Sequence, residues 1–442
     1  MNKLPLLTNS NPDNPIFWFQ GEVITHEKFL SDVSCIAENL NRQQYAINLC
    51  EDRYLFALAF TACMQQNQVR LMPASHAEKE IESLELDYQD SHRIDDDLIK
   101  TLLSRKTTNT SPLLMEIPAE QIVAIVFTSG SSGKPKANLK HWGMLVDSAL
   151  RVAKQLNLNQ PAQHSLVATV PPQHMYGFET TIIFPLVTGV CVHNNKPFFP
   201  DDIRQVLSTV QSPVILVTTP IHLRACTRTT IEWPAIDFAL CATAPLSTQL
   251  AEDAEKTLKS KIKEIYGCSE AGVIATRTTT ENSNWTLLDD YLFSEKLTGV
   301  CLITPLSNEE ILLPDQIEQI DSQHFQLLGR QSDLVKIAGK RGSLNDLKIK
   351  LCALDGVEDV VFFMPDENPD EKARLAAFVV APELNIKDIN AFFSQQVDHA
   401  FVPRPFIKVD KLPYNETGKL PRKNLINLYR QYRNNKQLQD SA

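Results

Sequence analysis

Between about residue 120 and residue 275, short apolar runs alternate with amphipathic segments. Residues 122–127, I-V-A-I-V-F, form an unbroken apolar run of strand length, and 166–170, 214–219, 238–243 and 262–267 repeat that texture. Segments 141–155, 201–210 and 245–260 carry apolar residues at helical spacing. Strands that alternate with helices pair in parallel and build a layered α/β sheet. Ligands bind such sheets at the carboxyl ends of the strands. After Arg330 the texture changes. Residues 334–341, 357–364 and 373–381 read as strands, and 344–354, 386–397 and 423–432 as helices, which predicts a small α+β domain. The pattern therefore predicts a large N-terminal layered α/β domain with parallel sheets over 1–331, followed by a small α+β domain over 332–442. Nearer the start, 24–40 and 54–64 are helical in pattern, and the acidic stretch 78–97 reads as solvated. There is no internal repeat and no apolar run near the ~20 residues a membrane span needs.

Charge narrows the function classes. With 43 Lys and Arg against 53 Asp and Glu the net charge is −10, which argues against a nucleic-acid binder. Nine cysteines without a C-x-x-C pair read as reduced thiols of a cytoplasmic protein, and the N-terminus has no signal-peptide core. Only 14 of the 442 residues are glycine. Nine of them (Gly130, Gly133, Gly177, Gly267, Gly272, Gly329, Gly339, Gly342 and Gly418) fall in five short segments. These are ordinary turns, or places where backbone must approach a ligand.

Residues 127–136, F-T-S-G-S-S-G-K-P-K, follow a strand directly. Thr128, Ser129, Gly130, Ser131, Ser132, Gly133 and Lys134 supply backbone N–H groups, hydroxyls and a cation suited to a polyphosphate; Lys136 is a second candidate cation. A Walker A loop would require glycine at Thr128 and Ser or Thr at Pro135. The plain alternative is a flexible polar linker. In Y-G-C-S-E-A-G, residues 266–272, Glu270 is a carboxylate able to hold Mg²⁺ against phosphates, and Tyr266 offers an aromatic face to a purine; alone it is also a common turn. Asp315 is a candidate acceptor for ribose hydroxyls, with Gly329 and Arg330 following, although a charged surface hairpin has the same texture. In N-E-T-G-K-L-P-R, residues 415–422, Lys419 is a loop lysine whose charge suits a pentavalent phosphate.

Taken in this order, the four segments resemble the AMP-forming adenylate-forming ligases: acyl- and aryl-CoA synthetases, firefly luciferase and nonribosomal peptide synthetase adenylation domains. Residues 128–136 resemble that family's T-S-G-[ST]-[ST]-G-x-P-K, 266–270 its Y-G-x-[ST]-E, Gly329-Arg330 its G-R, and 413–419 its P-x-x-x-x-G-K. C-A-T-A-P-L, 241–246, resembles the adenine-side loop S-G-G-A-P-L with both glycines replaced, and Asp315 stands after Pro314 where the family has T-G-D. The resemblance covers about residues 120–430. It implies two steps: a carboxylate attacks the α-phosphate of MgATP, and a thiol of CoA or an acyl carrier protein then displaces AMP. By carry-over Thr128, Ser129 and Lys134 hold the β/γ-phosphates, Ser269 meets the α-phosphate and Glu270 holds Mg²⁺. Tyr266, next to Gly267, flanks adenine, Asp315 and Arg330 bind ribose, and Lys419 bridges substrate carboxylate and ATP. The small C-terminal domain is implied to be mobile about Ser332, where many members have a charged residue.

P-P-Q-H-M-Y-G, 171–177, resembles the family's P-x-x-H-x-x-G, which would set His174 beside the acyl carboxylate and Tyr176 near the pocket. The plain alternative for His174 is a satisfied loop histidine. No Asp stands between Val170 and Gly177 to hold an α-amino group, and Tyr176 with Phe178 suits an aryl or hydroxy-aryl acid. Only 45 positions separate Glu270 from Asp315 (315 − 270), which predicts a trimmed third subdomain. A fatty acid is the alternative substrate. A non-catalytic acyl- or nucleotide-binding protein is the alternative class, against which the presence of Glu270 and Lys419 counts.

Overall fold

In the computed structural model, which describes residues 2–8, 11–73, 75–105, 115–128, 136–158, 164–211, 213–297, 299–330, 333–337, 340–365, 374–414 and 420–440, the alternating pattern resolves into two large sheets. The chain divides into two compact units, Met1–Leu312 with Ile320–Phe325, and Leu313–Gln319 with Gln326–Ala442.

The larger sheet of the first unit has at its centre the expected strand series. Ser165–Ala168, Val214–Thr218, Phe238–Cys241 and Lys261–Cys268 lie side by side in that order, all parallel. The helices Pro200–Thr209, Pro220–Thr227 and Thr248–Leu258 cover one face, burying Ile203, Leu207, Leu223, Leu250 and Ala254 against Val167, Leu216 and Ala239. Ser247 caps the last helix, its hydroxyl accepting from the Leu250 N–H. Beyond Lys261–Cys268 the pairing becomes antiparallel with Gly272–Thr278, because a three-residue turn cannot carry the long crossover a parallel strand needs.

The second sheet holds Ser91–Ile94, Tyr45–Asn48, Val69–Met72 and Ile122–Thr128 in parallel, then Lys136–His141 antiparallel to the last. The acidic stretch expected to be solvated is instead built into the fold. It forms helix Glu78–Asp87 and strand Ser91–Ile94, because Ile81, Leu84 and Ile94 are buried inside an otherwise charged sequence. Lys136–His141 was not expected as a strand. Its residues alternate, with Asn138 and Lys140 inward, so that a period of two is written in polar side chains.

The second unit is α+β. Strands Asp359–Phe363, Ala376–Val380 and Phe406–Lys408 form a sheet, with Leu344–Cys352 and Ile386–Gln396 packed through one core cluster and Arg422–Asp440 through another. The single strand expected over 334–341 is a hairpin, Leu334–Ile337 paired with Lys340–Ser343. Where the sequence predicts a trimmed subdomain, the first unit carries a three-stranded sheet of Leu292–Lys296, Gly299–Thr304 and Ser307–Leu312.

Candidate active site

Parallel strands place their carboxyl ends on one edge. Three of the singled-out segments leave that edge: 169–174 after Ser165–Ala168, 242–247 after Phe238–Cys241, and 269–271 after Lys261–Cys268. The base of this edge is fixed by Arg53, only 1% exposed. Its guanidinium donates to the carbonyls of Ala168 (3.2 Å), Val170 (2.8 Å), His193 (2.8 Å) and Asn195 (2.7 Å). Four carbonyls at two strand ends are thereby satisfied by one buried cation.

His174 caps the short helix Met175–Phe178, and its carbonyl accepts from the Phe178 N–H at 2.7 Å. The turn is tight: a Cβ on Gly177 would lie 2.0 Å from the Pro171 oxygen. Tyr176 points its hydroxyl at the Leu240 carbonyl, 2.6 Å away, next to the segment 241–246. Phe178, expected to suit an aryl substrate, is instead fully buried and meets Phe60 edge-on at 5.1 Å, so it belongs to the core.

Glu270 stands at the tip of the hairpin between Lys261–Cys268 and Gly272–Thr278, where Cys268 pairs with Gly272 and leaves Ser269, Glu270 and Ala271 to make the turn. Two glycines permit it. A Cβ on Gly267 would lie 2.3 Å from the Gly272 oxygen, and Gly272 itself adopts φ +77°. Tyr266 is 9% exposed, its ring tilted against Trp285 (5.6 Å) and Phe325 (6.0 Å).

Thr128 closes strand Ile122–Thr128 and is paired with Lys136. Ser129, Gly130, Ser131, Ser132, Gly133 and Lys134 lie outside the described residues. The segment therefore joins two antiparallel strands; a strand separates it from the helix Trp142–Gln155 that the pattern placed directly after it. Lys136 reaches the other hairpin, with its ammonium 3.3 Å from Glu270 Oε1. Lys136, the second candidate cation of the polyphosphate segment, is thus set against the Glu270 carboxylate.

Two further charged residues escaped the sequence reading. Lys140 is 1% exposed and donates to the Glu270 main-chain carbonyl at 3.2 Å. Burial pulls its pKa down, opposed by Glu179, Cys268 and Glu270. Glu179 is 6% exposed; burial pushes its carboxyl up to about 7, with Lys140 and the Val273 N–H pulling the other way. A lone carboxylate in the apolar run F-E-T-T-I-I-F was the available signal.

Asp315 and Arg330 belong to the second unit, at the start of Asp315–Gln319 and the end of His324–Arg330. Lys419 lies outside the described residues, as does Ser332.

A family model described as AMP-binding enzyme matches residues 10–294. A putative long chain fatty acid–CoA ligase, VraA of Staphylococcus epidermidis, is 23% identical over 337 residues, which cover 71% of this chain and 73% of that protein. A 3,4-dihydroxybenzoate–[aryl-carrier protein] ligase of Bacillus anthracis is 22% identical, covering 69% of this chain and 74% of the relative. The fold matches o-succinylbenzoate CoA synthetase (MenE) of Bacillus subtilis, solved with the acyl-adenylate intermediate OSB-AMP. That match has a TM-score of 0.82 at 16% identity, covering 96% of this chain and 98% of that one.

Proposed function

The chain belongs to the AMP-binding enzymes, and on that premise we propose that it is an ATP-dependent acid–thiol ligase acting on an aryl or hydroxy-aryl acid. A substrate carboxylate oxygen attacks the α-phosphorus of ATP, the bond to pyrophosphate breaks, and an acyl-adenylate forms. A thiol sulfur then attacks the acyl carbon and AMP leaves. The first step brings two anions together, so its barrier is mainly electrostatic.

The observation that carries this reading is the approach of Lys136 to Glu270, 3.3 Å across two separate hairpins. The strands of one hairpin flank the hydroxyl- and glycine-rich segment in sequence; the turn of the other holds the carboxylate. Among the described residues no three His, Cys, Asp or Glu side chains gather into a metal cage. Mg²⁺ suits one carboxylate plus phosphate oxygens and water, so Glu270, 24% exposed at its side chain, fits it. The ion supplies charge neutralisation at the phosphates when bound. Lys136 neutralises the same region, Ser269 donates to the α-phosphate, and Lys419 bridges carboxylate and ATP in the first transition state. His174 orients the acyl carboxylate and Tyr176 lines the acyl pocket, with Tyr266, Asp315 and Arg330 serving the nucleoside.

The aryl preference draws support from the Bacillus relative named for dihydroxybenzoate, and a fatty acid from the relative named for long chains. Both CoA and a carrier protein occur among the relatives' acceptors. The nine free cysteines agree with a cytoplasmic setting. Pyrophosphate release across a panel of aryl and fatty acids, with and without CoA or an acyl carrier protein, tests the assignment. Acid-dependent release with an aryl acid is expected; release with none of the acids sinks it.

A further inference from the structure

Behind the Glu270 turn lies a pair of opposite charges that the two-step chemistry does not use. Lys140 points inward from Lys136–His141, and Glu179 lies buried in the segment Glu179–Ile183. Oε1 of the Glu179 carboxylate has no hydrogen-bond partner among the described residues. Gly272 leaves it room: a Cβ there would stand 2.7 Å from that oxygen.

Burying two charges costs several kcal/mol per ion, and a well-packed apolar pair of the same volume often does as well or better for stability. Stability alone does not account for Lys140 and Glu179. Their placement does. The Lys140 ammonium holds the Glu270 main chain from within the fold, while Lys136 meets the side chain of the same residue from outside, at 3.2 Å and 3.3 Å. Burial pulls the Lys140 pKa down, and Glu179 is the foremost of the groups that oppose this.

We propose that Lys140 and Glu179 are positioning residues that fix the Glu270 turn, so that its carboxylate meets Mg²⁺ and ATP already oriented. This rests on reading Glu270 as the metal carboxylate. Partners that orient a ligating group are typically worth about 10–100-fold in metal affinity or activity.

The test compares wild type with Lys140→Met and with Lys140→Met/Glu179→Leu. Calorimetry measures ATP affinity with and without Mg²⁺, and thermal unfolding follows the fold. Lys140→Met is expected to bind metal-free ATP as wild type does, but to lose about tenfold or more of the tightening that Mg²⁺ brings. The double variant, with no uncompensated buried charge, is expected to regain thermal stability and yet keep the weakened Mg²⁺ response. Wild-type Mg²⁺ coupling in the double variant would overturn the proposal and leave two buried charges with a purely structural role. If Glu270→Gln leaves Mg²⁺ coupling intact, the metal reading of Glu270 fails, and the proposal falls with it.

Discussion

Glu270 combines a partly exposed carboxylate with a main chain pinned from below, so replacing one oxygen changes charge without changing the turn. Glu270→Gln is therefore expected to cut Mg²⁺-dependent pyrophosphate release by about tenfold or more while leaving the unfolding temperature within a degree or two. An unchanged rate and Mg²⁺ requirement would reduce Glu270 to a turn residue. His193 carries a prediction of a different kind. It is 3% exposed and stacks on Trp18 at 5.4 Å, and burial followed by the Arg53 charge brings its pKa down to about 4. Between pH 6.5 and pH 4 the unfolded chain binds a proton that the native ring refuses. Stability from this site is thus full above 6.5 and lost as pH falls toward 4, by on the order of 3 kcal/mol. Glu179 and Glu264, both pushed up to about 7 mainly by burial, act with the opposite sign, gaining protons in the native state as pH falls below 7. The histidine is isolated by difference. His193→Phe keeps a ring on Trp18, and denaturant titrations at pH 7 and pH 4.5 should show a smaller acid loss than wild type. Equal losses would mean that His193 titrates normally.

At the scale of elements, the apolar strands and amphipathic helices of 120–275 were legible because their periods are written in hydrophobic side chains. Lys136–His141 was not, since its inward residues are Asn138 and Lys140 and their burial depends on partners far away in sequence. Glu78–Asp87 failed for the converse reason, with Ile81 and Leu84 the only buried residues on a charged helix. The candidate site divides the same way. Glu270 and Tyr266 announce themselves by motif, whereas Lys140, Glu179 and Arg53 gain meaning only once the strands pair. The Glu270 hairpin is the element on which most depends. Gly267 faces the Gly272 carbonyl too closely for a Cβ, at 2.3 Å, whereas Gly21 has a positive φ of +86° but nothing within 4 Å. Gly21→Ala should cost about 1 kcal/mol of backbone strain. Gly267→Ala should cost about 2–3 kcal/mol and weaken Mg²⁺ coupling, because the turn must open. Equal unfolding free energies for the two variants would contradict the close approach.

At the scale of the whole molecule, charge is distributed unevenly. The chain carries −10 overall, yet residues 401–436 hold nine basic residues against Asp410 and Glu416. The fold explains part of the excess. Lys408 donates to the carbonyls of Pro382 and Leu384, and Arg422 to that of Met364. The helix Arg422–Asp440 turns Leu425, Leu428, Tyr429 and Tyr432 to the core and leaves Lys423, Arg430 and Arg433 exposed. A solvated helix face needs no particular sign of charge, but a surface that receives an anionic thiol donor does. An acidic carrier protein is the donor of that charge. Docking through exposed charges is screened beyond about 8 Å at physiological ionic strength, while the phosphate chemistry proposed at Glu270 would take place at contact distance. Thioester formation on a carrier protein should therefore fall steeply with added salt while acid-dependent pyrophosphate release does not. Arg430→Glu with Arg433→Glu should reproduce that selective loss at low salt, mainly as a rise in KM for the carrier. If both half-reactions respond equally to salt, or if the reversed variant loads the carrier at the wild-type rate, the basic face is ordinary solvated surface and the donor docks elsewhere.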